Sequence, residues 1–439
     1  MRSLIGEAIP RLEDPALLRG EGRYTDDVNE PGQAYAYIVR SPHAHGVLKK
    51  IDTAAAKGMP GVLAVYTASD LAAYGPHKCA LDFKMRDGSP MKRPIRKSLA
   101  SDKVRFVGDP VACVVAGTYL QAKDAAEAIE LDVDPLPGVS LPSDAAKPGA
   151  PQIYDDVPGN VQLDFLWGDP AKVAAAFDSA FHKTKLALRN TRVVVAALEP
   201  RAGLCKFEGD RWTLTVPGQG VWAQKLQLAD ILGVTPDKVR ILTYNVGGSF
   251  GMKGPIYPEY VCLAHAARAL GRPVKWTDER SGSFLSDHHG RDHEITGELA
   301  LDEKGKFLAL RMTGYGNVGA YLSNVAPQPP TMNLVRNACG VYRIPLFEVS
   351  TKVCFTNTSP VSAYRGAGRP EANMYIERLI DEAAREMGID RFELRRRNHV
   401  TPAEIPYKNR ADMTVDSGDF GAVFEKAIKA ADGFEERKR

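Results

Sequence analysis

Three glycine-rich turns carry the side chains best suited to chemistry. Asn245 to Gly254 reads NVGGSFGMKG after the apolar run KVRILTY. Gly247, Gly248 and Gly251 permit positive φ and a close approach of the backbone to another molecule, so successive N–H groups could form an anion-binding concavity. The spacing matches neither G-x-x-x-x-G-K-[ST] nor G-x-G-x-x-G, because no Ser or Thr follows Lys253 and no third glycine is in register. A plain strand-to-helix turn accounts for the segment as well. In VPGQGVW, Gln219 stands between two glycines, where its amide can both donate and accept; a solvated turn glutamine is the other reading. SAYRGAGRPEA sets Arg365 and Arg369 beside small residues, a suitable lining for phosphate or an oxo group, although arginine in a turn is also ordinary surface charge.

Other residues say less. His43 and His45 in SPHAHG alternate on a strand-like segment, but no third metal-type residue is near them in sequence. His288, His289 and His293 in SDHHGRDHE read as a polar loop. LEPRA follows the apolar run VVVAA, which would bury Glu199 and Arg201 unless they pair or meet a polar ligand.

The elements that must position these turns alternate along the chain. AYAYIVR and DPVACVVAG read as strands of a compact α+β unit spanning Gln33 to Val133, closed by the helical run LQAKDAAEAIEL. Five prolines in DPLPGVSLPSDAAKPGAPQ, residues 134–152, predict an interdomain linker. Beyond it, the strands RWTLTVPG, KVRILTYNV and KFLALRMTGYG alternate with the helices WAQKLQLADILG, PEYVCLAHAARALG and EANMYIERLIDEAAREMG. The last helix is predicted to stop at Gly388, and the next to start at Asp390 with Glu393 completing a capping box.

With 439 residues, two or three domains are expected. Lysine plus arginine total 57 against 54 acidic residues and form no basic stripe, which argues against a nucleic-acid partner. The six cysteines are scattered without a C-x-x-C pair, so no zinc or iron–sulfur centre is readable. No apolar stretch is long enough for a membrane span and no signal peptide opens the chain; a cytoplasmic protein is expected.

Taken in order, RLEDPALLRGEGRYTDDV, YIVRSPHAHG, VRFVGDPVACVVA, LEPRA, GQG, GGSFGMK, YRIP, AYRGAGRPEA and LRRRN resemble the molybdopterin-binding large subunits of the xanthine dehydrogenase and aldehyde oxidase family, over nearly the whole chain. The resemblance implies an α+β chain: an α/β hammerhead domain over 1–133, a linker over 134–158, and the first of two molybdopterin-binding domains over 159–439. Gln219 matches the glutamine that hydrogen-bonds the molybdenum oxo group, and Phe250 the residue whose backbone amide contacts the metal site. Arg365 matches the arginine beside it, and Gly247, Gly248 and Gly251 the loop around the dithiolene. The 31-residue interval from Gln219 to Phe250 agrees with the family.

Departures from the family bear on the substrate pocket. Gly254 stands where purine hydroxylases have a glutamate, and Asn333 where they have a substrate-orienting arginine. Gly366, followed by Ala367, replaces the copper-binding cysteine of carbon monoxide dehydrogenases. The resemblance therefore points to an aldehyde or an N-heteroaromatic, nicotinate-like small molecule as substrate. It implies a cytosine dinucleotide form of the cofactor, with [2Fe-2S] and FAD on partner subunits. The family's glutamate base matches no residue here, so it is expected on a second molybdopterin-binding subunit, this chain ending at GFEERKR as a natural split; a truncated gene or a non-catalytic remnant are the other readings.

Overall fold

The computed structural model describes residues 4–431; residues 1–3 of the expected first domain and 432–439 of the second, GFEERKR included, lie outside the described residues. A seven-stranded sheet runs in the order Val239–Leu242, Arg211–Thr215, Ala202–Glu208, Val274–Thr277, Ala34–Arg40, Pro110–Ala116, Val62–Thr67. Pro110–Ala116 is buried along its whole length, as an unbroken apolar run between two neighbours should be. The first unit is thus not self-contained in its strand pairing. Ala34 pairs in parallel with Val274, so strands from both sides of the proline-rich crossing share one ladder. Periodicity sets which face of a strand is buried but not which strand lies beside it.

A second, five-stranded sheet, ordered Val161–Gly168, Leu346–Phe355, Phe307–Gly319, His293–Leu301, His182–Asn190, carries the largest apolar core with the helix Arg369–Met387. A three-stranded sheet formed by Lys103–Val104, Gly46–Asp52 and Glu130–Pro135 packs beside the first. The proline-rich crossing is anchored. Asn160 accepts from the Ile153 N–H at 3.0 Å and donates to the carbonyls of Ala145 and Pro151, and Ile153 and Val157 are fully buried.

Helix ends follow their residue chemistry. Gly388 closes the long helix at φ 66°, where a side chain would be strained. Asp390 caps the helix Arg391–Asn398 through the N–H groups of Phe392 and Glu393, and Glu393 accepts from Arg397 Nε at 3.0 Å. His43 and His45 lie in a turn, not on a strand; buried His45 meets the Pro137 carbonyl through Nδ1 at 2.8 Å. His288 and His293 are buried rather than on a polar loop.

Candidate functional site

The helix Pro258–Leu270 packs so closely on the strand Ala202–Glu208 that a Cβ on Gly203 would meet Leu263 at 2.8 Å. The segment just before that strand and the loop just before that helix are thereby held side by side. Glu199 is the joint between them. Its Oε2 accepts from the Gly247 N–H at 2.8 Å and from Lys253 Nζ at 3.0 Å, and its own N–H donates to the Gly247 carbonyl at 3.0 Å. Any side chain on Gly247 would strike Glu199 Cβ at 2.5 Å. Lys253 is buried, which lowers its pKa, while Glu199 partly restores it. The Lys253 carbonyl in turn receives the Gln219 N–H and Gln224 Nε2, each at 3.0 Å. Sequence reading singled out Glu199 but missed this role of Lys253; its place six residues after Gly247 was the available signal.

The loop then meets the other two turns. Gln219 Oε1 accepts from the Gly251 N–H at 2.9 Å and from Ser249 Oγ, which fixes the amide so that Nε2, on an exposed side chain, keeps its donors. Phe250, at φ 53°, offers its carbonyl to the Arg365 N–H at 2.9 Å, and the Arg365 guanidinium lies 5.8 Å from the Phe250 ring centroid. Gly251, at φ 103°, sits where a Cβ would be 2.5 Å from the Ala363 carbonyl oxygen. Asn333 Nδ2 donates to the Ala367 carbonyl at 2.6 Å, and Ala367 holds a left-handed φ of 43°. Gly366, at φ 91°, receives the Arg369 N–H and Arg369 Nη1 on its carbonyl, so Arg369 closes the turn instead of lining a pocket. Gly254 stands beside Gln219: its added Cβ would be 3.9 Å from the Gln219 carbonyl. Residues from 219 to 367 thus form one wall.

Arg291, which sequence reading passed over, holds the arginine turn in place. It donates to the Tyr364 carbonyl at 3.1 Å, to the Arg365 carbonyl at 2.9 Å and to Glu371 at 3.0 Å. Beneath the wall, Arg201 is fully buried among Glu259 (2.9 Å), Asp278 (3.3 Å) and Asp287 (2.5 Å), with Arg40 on Glu259 from the other side. This is the pairing that LEPRA demanded. Burial opposes the Glu259 charge, but Arg201 and Arg40 outweigh it and hold the carboxyl well below its ordinary range; for Asp278 burial wins, and its pKa is pushed up to about 6.

The donors left over define what the wall can hold. The N–H groups of Gly248, Ser249 and Phe250 have no acceptor among the described residues, the Arg365 fork has no carboxylate, and Gln219 Nε2 is free. Consecutive free amides, a guanidinium and a carboxamide suit an oxygen-rich, anionic group. A molybdopterin centre, with oxo and phosphate oxygens, fits that donor set, and the glycines leave room for it to approach.

Comparisons with known proteins identify the cofactor that the domain binds. A family model described as "Molybdopterin cofactor-binding domain" matches residues 153–399, and one described as "Aldehyde oxidase and xanthine dehydrogenase, a/b hammerhead domain" matches residues 19–137. The chain is 34% identical to the carbon monoxide dehydrogenase large chain of Hydrogenophaga pseudoflava, over 96% of this chain and 53% of that protein. It is 33% identical to the nicotine 6-hydroxylase large subunit of Paenarthrobacter nicotinovorans, over 98% of this chain and 52% of that protein. The crystal structure of quinoline 2-oxidoreductase from Pseudomonas putida 86 superposes with a TM-score of 0.89 at 30% identity, over 100% of this chain and 56% of that one. The chain spans about half the length of the curated relatives it matches.

Proposed function

The chain belongs to the molybdopterin cofactor-binding family of the aldehyde oxidases and xanthine dehydrogenases, and from that premise we propose that it grips the cofactor of a molybdenum hydroxylase acting on an aldehyde or N-heteroaromatic ring. One observation carries this reading: segments 32, 115 and 34 residues apart close on each other through Gln219–Gly251, Phe250–Arg365 and Asn333–Ala367, leaving donors of one kind unmet. When bound, the molybdenum centre supplies Lewis acidity and an electron sink. The chain's own part is to orient it: Gln219 Nε2 and the amides at 248–250 donate to its oxygens, and Arg365 places a planar positive charge beside them. Gly254, Asn333 and Gly366 shape the substrate side; the lack of an acid at 254, an arginine at 333 and a cysteine at 366 favours aldehydes and nicotinate-like rings over purines and carbon monoxide. The two carboxylates packed against the wall are committed, Glu199 to Lys253 and Glu371 to Arg291, and the resemblance assigns the reaction's proton to a glutamate that matches no residue here.

The same reading includes a cytosine dinucleotide tail on the pterin, a partner chain bearing the second molybdopterin-binding domain, and [2Fe-2S] and FAD subunits to carry electrons away. No described helix is long and apolar enough to cross a membrane, and a cytoplasmic complex is part of the proposal. Dye reduction by the protein purified with its co-expressed neighbours tests the activity: turnover with an aldehyde or an azine is expected, and none with any of them refutes it. Gln219→Ala should cut that turnover about 10- to 100-fold at unchanged molybdenum content, by removing a preorganised donor. Arg365→Lys should also be slow, since an ammonium cannot reproduce a planar fork; wild-type kinetics in either variant would place the reacting group elsewhere.

A further inference from the structure

We propose that a small cavity behind the glycine loop binds a small monovalent anion, a halide or a carboxylate the size of formate, between Arg96 and His288. The cavity, about 40 Å³, is lined by Arg96, Ile256, His288, Ser323 and Asn324 among others. A water needs roughly 10–15 Å³ on this measure, so an ion of a few heavy atoms is the largest guest. Arg96 is only 6% exposed and, among the described residues, has no carboxylate partner. Among the described residues its guanidinium makes one hydrogen bond, a long one from Nη1 to His288 Nε2 at 3.4 Å, and lies 5.1 Å over the Tyr321 ring. Asp109 acts on it electrostatically from a distance, but that carboxylate is already engaged by the Tyr321 hydroxyl and the Arg105 N–H, each at 2.9 Å. The other guanidinium nitrogens have no acceptor among the described residues, so an anion in the cavity would gain hydrogen bonds and charge compensation together.

His288 lines the same cavity. Burial keeps the ring neutral, and Nε2 faces an arginine that can only donate, so the proton belongs on Nδ1; that atom is buried without an acceptor. His77, also on the cavity, is satisfied by Ser98 Oγ at 3.0 Å and by the Ile256 backbone. The carboxylate on the cavity wall, Asp230, is neutralised by Lys78 at 2.8 Å. Positive charge and unmet donors in one small space select an anion over a cation, and over water, which would leave the charge uncompensated. The site does not rest on the molybdenum reading, although it touches the same loop: Pro255 and Ile256 line it, and Tyr257, whose ring lies tilted 4.5 Å from that of His288, donates to the Met252 carbonyl at 3.0 Å.

Bromide, formate and the bulky methanesulfonate, compared on the purified protein at one ionic strength, test this. The thermal midpoint should rise by about 2–4 °C in a small anion over methanesulfonate, and Arg96→Gln should abolish the difference. Crystals grown in sodium bromide should show an anomalous peak within hydrogen-bond reach of Arg96; a peak with no midpoint gain from formate narrows the guest to halides, and gain from formate alone narrows it to carboxylates. Equal midpoints in all three salts with no bromide at Arg96 overturn the site, and this reading of the wild-type protein stands even if Arg96→Gln does not fold.

Discussion

Arg201→Met is expected to lower the unfolding free energy by about 3–5 kcal/mol, the usual cost of removing one partner from a buried charge cluster. The side chain is fully buried, bonded to Glu259, Asp278, Asp287 and Ser286, and its guanidinium lies 3.9 Å from the Tyr257 ring centroid. Methionine fills much of the volume but leaves carboxylates facing each other with only Arg40 to offset them. The loss should depend on pH in a defined sense. In the wild type the Glu259 pKa is held below its unfolded value, so its stabilisation is present above about pH 4.3 and fades as pH falls below that. In the variant the same carboxylates are buried without their cation, which raises their pKa values, so their penalty grows as pH rises. The gap between the two proteins in chemical denaturation should therefore be widest near neutrality and narrow toward pH 4. A deficit under about 1 kcal/mol at pH 7 would mean the cluster holds nothing together.

Gly251→Val is the second large effect, and it falls on cofactor content. At φ 103° a valine is strained, and its Cβ would lie 2.5 Å from the Ala363 carbonyl oxygen, closer than any real contact. The loop has to withdraw from the arginine turn, which parts Gly251 from Gln219 and Phe250 from Arg365. Bound pterin should fall at least about tenfold while circular dichroism stays native, because neither Gly251 nor Ala363 is itself a residue of an apolar core. Gly233→Ala is the control. Gly233 has φ 69° but nothing within 4 Å of an added Cβ, so it carries backbone strain of about 1 kcal/mol with no collision. Pterin loss in both variants alike would point to general destabilisation, not to the wall.

What was readable in the sequence was local. Positive φ at Gly248 and Gly251, the stop at Gly388 and the cap at Asp390 are properties of one or two residues, and the structure repeats them, whereas Gly247 is not at positive φ and is required by the close approach of Glu199. That Arg201 required partners was also legible from LEPRA; that they would be Glu259, Asp278 and Asp287 was not, since those acids lie 58 to 86 residues away and nothing in their spacing refers to LEPRA. The same limit hid the shared sheet, where Ala34 pairs with Val274. Lys253 and Arg96 escaped notice for a related reason: a lysine or arginine reads as surface charge until the fold buries it. The three turns could be matched to a family in order, but only their contacts show that they make one wall.

Molybdenum and pterin content of the intact protein, purified with its co-expressed neighbours from molybdate-replete cells, tests the central claim most directly. Equimolar metal and pterin in the wild type, lost in Gly251→Val and retained in Gly233→Ala, is the predicted result. Folded wild-type complex free of both, or a Gly251→Val variant that keeps both, would contradict it.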